Sequence, residues 1–101
     1  MSVIVEFSMF PIGKEGSLSP YVARLLVIIR ESGLPHVFGP MSTSVEGEWA
    51  QVMTLVDRCH AELARDCERI HIALRADSRR GVNGRLCSKV EHVEALIHPT
   101  E

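Results

Sequence analysis

At 101 residues, of which 46% are hydrophobic, the chain has the length of one domain and enough apolar side chains for a single core, so a two-domain enzyme is excluded. Thirteen acidic and eleven basic side chains leave a formal charge of −2, and the basic set is nearly all arginine, which gives no basic field for nucleic acid. The longest uninterrupted apolar run, Leu25 to Ile29, is far short of the roughly 20 residues that span a bilayer. The N-terminal Met1-Ser2-Val3-Ile4-Val5-Glu6 lacks a basic region followed by a long apolar one, so no secretory leader is expected and the protein reads as cytoplasmic.

In chain order, Val3 to Phe10 alternate: Val3, Val5, Phe7 and Met9 on one side, Ile4, Glu6, Ser8 and Phe10 on the other, the period of a strand. Pro11, Gly13 and Gly16 break the pattern. Ser17 or Ser19 then caps a helix with Pro20 in its first turn, an apolar stripe of Val22, Leu25, Leu26 and Ile29, and a stop at Gly33. Two short extended pieces follow, His36–Phe38 and Thr43–Glu46, separated by Gly39-Pro40 in a turn or bulged hairpin. A second helix begins near Glu48, with Trp49, Val52, Met53, Val56, Cys59 and Leu63 at helical spacing.

From Arg69 the period returns to two, with Ile70, Ile72, Leu74 and Ala76 opposite His71, Ala73, Arg75 and Asp77. A glycine-punctuated loop from Ser78 to Gly84 leads to a last helix marked by Leu86, Val90, Val93 and Ile97, ending before Pro99. Two βαβ halves with right-handed crossovers make an α+β fold, a ferredoxin-like βαββαβ sandwich with an extra C-terminal helix. There the first and fourth strands are antiparallel neighbours. Their apolar sides face the helices, and Glu6, Ser8, His71, Arg75 and Asp77 share the uncovered face, an amphipathic surface suited to a partner subunit or a ligand.

Three cysteines without a CxxC pair suit a reducing compartment, with Cys59 and Cys87 expected as buried core thiols and Cys67 near a helix end. Cys67 and His71 have ligand-like spacing, but no second element pairs with them, so no metal site is expected. Cys59 and His60 point about 100° apart on a helix and cannot act as nucleophile and base. Arg75, Arg79, Arg80, Arg85 and Lys89, with backbone N–H groups of Gly81 and Gly84, could hold an anion, Arg79, Arg80 and Arg85 foremost; the plain alternative is a solvated face. Glu6, Ser8, Thr43, Glu46 and Asp77 could converge on a polar ligand, and Trp49 could pack on it or anchor the core.

The opening Val3 to Gly13, then Ser17-Leu18-Ser19-Pro20-Tyr21-Val22, Gly39-Pro40-Met41, Glu46-Gly47-Glu48-Trp49 and Arg58-Cys59-His60, resemble the small thiamine-binding protein family, long known as an uncharacterised one. The resemblance covers nearly the whole chain and implies one domain, 1–101, of ferredoxin-like fold. It further implies assembly of the chain with itself as a homodimer or homotetramer, and binding of thiamine or its hydroxymethylpyrimidine part without catalysis and without a further cofactor. On that reading Glu6, Glu46 or Asp77 supplies a carboxylate, Ser8 and Thr43 hydrogen bonds, Gly39 and Met41 backbone groups, and Phe10, Phe38 or Trp49 apolar packing. The family's Gly-Pro-Met-Gly-Thr pattern is broken by Ser42. Two alternatives stand beside it: an assembly module that binds nothing small, and a lyase or isomerase using Glu6, His71 and Asp77 as acid and base.

Overall fold

The computed structural model describes residues 1–81 and 84–97. The elements are β1 (Ser2–Pro11), α1 (Ser19–Glu31), β2 (His36–Phe38), β3 (Thr43–Glu48), α2 (Trp49–Ala64), β4 (Ile70–Arg79) and α3 (Arg85–Ile97). The strands form one antiparallel sheet in the order β2-β3-β1-β4, the ferredoxin-like arrangement with an added C-terminal helix. The expected loop from Ser78 begins two residues too early, since β4 runs on to Arg79 opposite Ser2. Val82, Asn83, His98 and Pro99 lie outside the described residues. Among those described, no helix is long and apolar enough to cross a membrane.

Alternation in β1 builds the core. Val3, Val5, Phe7 and Met9 are buried against α1 and α2, where they meet Leu25, Ile29, Val52, Leu55, Cys59 and Leu63. Each such side chain contributes about 1.5–3 kcal/mol on leaving water. Neither Ser17 nor Ser19 caps α1 as expected: Leu18 holds the cap position, and its carbonyl accepts the N–H groups of Tyr21 and Val22. The Ser17 hydroxyl instead accepts the Ser19 N–H at 3.1 Å. Gly33, at φ 73°, takes the left-handed turn that ends the helix. At the start of α2 the Gln51 side chain accepts the Glu48 N–H at 3.2 Å, and the Glu48 carboxylate pairs with the N-terminal ammonium.

Two expectations about burial change. Ile72 and Leu74, placed on the helix side of β4 by their pairing with Met9 and Phe7, remain 43% and 40% exposed because α1 and α2 leave the β4 edge uncovered. Cys87, expected in the core, is exposed on α3, while Cys67 lies near a helix end as expected, just past α2, and is buried. Cys59 is fully enclosed in the core, and burial pushes its thiol up to about 11.

The first turn of α3 docks on the opposite face of the sheet. The buried Glu46 carboxylate accepts the Arg85 N–H at 2.9 Å and the Leu86 N–H at 3.4 Å, so it caps the helix across 39 residues of sequence. The Arg85 side chain, 3% exposed, donates to the Asp77 carboxylate at 2.8 Å and to the Asp77 carbonyl at 2.9 Å, and Lys89 reaches the same carboxylate. Beyond that turn α3 runs clear of the body. The radius of gyration is accordingly 15.4 Å, against about 13 Å for a compact chain of this length.

Three outcomes follow from this packing. Iodoacetamide on native protein should modify Cys87 first, with Cys59 and Cys67 reacting only on unfolding, as peptide mass mapping would show. Glu46→Ala should speed amide exchange in α3 and cost about 0.5–2 kcal/mol in denaturant unfolding, the usual loss for a helix cap. The Asp77 carboxyl is held below the ordinary range, first by the hydrogen bond from Lys89, so its tether to α3 is complete at neutral pH. That contribution is lost as pH falls through the depressed value, and the protection of α3 amides relative to their intrinsic exchange rate should fall there.

Candidate functional site

A cavity of about 720 Å³ opens between the N-terminal part of α1, the C-terminal part of β1 and the link from β2 to β3. Its origin is a mismatch of strand lengths. β1 stays paired with β4 as far as Pro11, but its pairing with β3 ends where Phe7 faces Thr43. Ser8, Met9 and Phe10 therefore have no strand beside them on that flank, and the chain from Phe38 to Ser42 swings outward to form a lip. The Gly39 N–H donates to the Ser42 carbonyl at 2.9 Å and closes the lip around Pro40 and Met41.

The walls are mostly apolar. Phe7, Met9 and Phe10 form one side, Val22, Leu25, Leu26 and Ile29 of α1 another, with Phe38 and Met41 at the lip. The hydroxyl-bearing residues Ser8, Ser19, Ser42 and Thr43 supply polar points in this surface. Phe10 stacks on His71 with ring centroids 5.0 Å apart, which steadies its ring at the cavity's end.

Of the ten residues singled out by sequence, Ser8, Phe10, Phe38, Gly39, Met41 and Thr43 meet in this cavity. The other four do not line it. Glu6 lies on the open face next to it, pairs with Arg75 at 2.8 and 3.0 Å, and meets the Ser42 hydroxyl. Those contacts, the Arg75 hydrogen bond foremost, hold its carboxyl below the usual range. Glu46 and Asp77 are engaged with α3, and Trp49 stands half-exposed at the start of α2, its backbone N–H donating to the Met1 carbonyl.

The expected anion site divides in the same way. The N-terminal amides of α3 are turned to Glu46, and the Arg85 guanidinium is buried against Asp77, while Arg79 and Arg80 are exposed at the end of β4. Among the described residues no three His, Cys, Asp or Glu side chains gather where they could hold a metal ion.

Sequence reasoning missed the α1 wall. Val22 and Leu26 share a stripe with Leu25 and Ile29 and read as core, yet only Leu25 and Ile29 are buried; the other two are partly exposed at the cavity. A stripe wider than the core requires is the one signal that could have found them.

Comparison with known proteins places the chain in a family. Residues 5–94 match the model of a family described as thiamine-binding protein. The UPF0045 protein Mb1933 of Mycobacterium bovis is 36% identical over 98 residues, 96% of each chain, and the UPF0045 protein sll0230 of Synechocystis is 33% identical over 96% of this chain and 81% of its own. A crystal structure from Thermotoga maritima, described as a candidate thiamine biosynthesis/salvage protein, shares 26% identity and a TM-score of 0.76 over 89% of this chain and 99% of that one. The protein MJ1052 of Methanocaldococcus jannaschii has the same fold, with a TM-score of 0.83 over 92% of this chain and 96% of its own at 24% identity. With the match running from the first core strand into the last helix, the chain belongs to the thiamine-binding protein family.

Proposed function

We propose that this protein binds thiamine or its hydroxymethylpyrimidine moiety in the cavity beside β1 and releases it unchanged, as a cytoplasmic homo-oligomer. The observation that carries this reading is the cavity itself. It has the size of a small-molecule site, flat apolar walls at Phe10 and Phe38 for a heteroaromatic ring, and a few hydroxyl-bearing residues to orient the ring's edge. The Glu6 carboxylate, shared between Arg75 and Ser42, lies near the rim as a further hydrogen-bond acceptor for the ligand.

The acid–base alternative is weakened by placement. Glu6 is paired with Arg75, His71 is stacked on Phe10, and Asp77 lies six positions from His71 along β4, about 20 Å at the rise of a strand. These three side chains do not converge on one substrate.

Assembly is supported by surfaces that a lone chain leaves to water. Val90, Val93, Leu96 and Ile97 of α3 are each more than half exposed, and Ile72 and Leu74 are bared beside the free edge of β4. A long unpaired edge next to apolar side chains invites a strand or helix from another copy, and closed symmetric assemblies are the usual result.

Calorimetry should therefore record binding of thiamine or hydroxymethylpyrimidine, and Phe10→Ala and Glu6→Gln should each weaken it about ten- to a hundred-fold. Absence of heat and of thermal shift at millimolar ligand would defeat the binding function. Sedimentation equilibrium at micromolar protein should show a dimer or tetramer, and Val93→Asp should move the distribution toward smaller species. A purely monomeric parent would refute the assembly.

A further inference from the structure

Among the described residues, the cavity wall contains no ionisable side chain. That matters because the molecules such a site could take occur in two chemical classes, alcohols and their phosphate esters, which differ by one to three negative charges. A phosphoryl group taken out of water needs a cation or a row of free backbone N–H groups, and without either its burial is costly.

The start of α1 borders the cavity at Ser19 and would be the natural anion cradle. It is closed off. The Ser19 N–H is bonded to the Ser17 hydroxyl at 3.1 Å, Pro20 has no N–H, and the N–H groups of Tyr21 and Val22 go to the Leu18 carbonyl at 3.0 and 3.1 Å. Nearby cations are also committed. Lys14 donates to the Asp66 carbonyl at 2.8 Å, Arg24 is held by Glu62 and Asp66, and Arg75 is held by Glu6. Arg30 sits in the last turn of α1, about 16 Å along the axis from Ser19. The Glu6 carboxylate, beside Ser42 at the lip, is itself paired with Arg75, so this ion pair offers a phosphate no free cation.

We propose that the cavity selects the unphosphorylated ligand, a free heteroaromatic alcohol, and discriminates against its phosphate and diphosphate esters. The inference rests on the reading of this cavity as the thiamine-type site. It deepens that reading by naming the chemical form bound. It also makes the wall of α1, and not the carboxylates, the element that sets specificity.

The test is a calorimetric series on the full chain at neutral pH with thiamine, hydroxymethylpyrimidine and their phosphate esters as probes. Each ester is expected to bind about ten- to a hundred-fold more weakly than its alcohol, the effect of one uncompensated charge. Ala23→Arg, which adds a cation to the exposed α1 rim of the cavity, should strengthen ester binding at least tenfold relative to the alcohols. An ester that binds as tightly as its alcohol overturns the proposal, as does an ester affinity that Ala23→Arg does not move. Esters binding while alcohols do not overturns it and keeps the cavity as a ligand site. No binding by either class overturns the parent reading and this inference with it.

Discussion

The strict alternation of β1 is the constraint on which the remaining structure depends. It is the one strand paired through its length on one side, with β4, and over six residues on the other, with β3. Its even and odd positions go to different surfaces: Val3, Val5, Phe7 and Met9 nucleate the core, and Ile4, Glu6 and Ser8 face away from it. A slip by one residue would exchange those sets and bury Glu6 where Phe7 now sits. The same strand overhangs β3, and that overhang creates the cavity. Fold and site are thus two consequences of one strand being longer than its neighbour.

Charge is distributed so that ionic groups hold the frame together and stay out of the cavity. Arg24 joins α1 to α2 through Glu62 and Asp66; Arg75 joins β4 to β1 through Glu6; Arg85 and Lys89 join α3 to β4 through Asp77. Most of these pairs are solvent-exposed and contribute little singly. Arg85 differs because its guanidinium is buried while Asp77 keeps half its side chain in water. Its Nε finds no partner among the described residues, nor does the Ser2 hydroxyl close by. Docking of α3 therefore depends on the Glu46 cap and the backbone carbonyls as much as on ion pairing.

Periodicity exposed most of this architecture before any coordinates. β1, α1, α2 and β4 each carry a pattern long enough to fix type and face, and two βαβ halves leave few topologies. What periodicity cannot express is what lies opposite a face. Ile72 and Leu74 alternate as core residues do, but the helices leave them 43% and 40% exposed. Cys87 follows Leu86 on a helix whose later apolar residues, Val90, Val93, Leu96 and Ile97, are all more than half exposed. Glu46 and Asp77 have the chemistry of ligand carboxylates, and only the fold reveals that Arg85, 39 and 8 residues distant, engages them first. Six of the residues expected at a site meet at the cavity because they lie in two short segments, around Ser8 and around Gly39. The α1 wall was not legible, since a helix stripe reads alike whether it faces a core or a cavity.

Gly39 has ordinary backbone angles, so its lack of a side chain answers to space and not to conformation. A Cβ built there would lie 3.0 Å from the Ser42 carbonyl oxygen, the same oxygen that accepts the Gly39 N–H. Any larger residue must push the two sides of the lip apart and lengthen that hydrogen bond. The aperture is in effect gauged by one missing methyl group. A single codon change at this position would widen the mouth of the cavity while the sheet and its core stayed as they are.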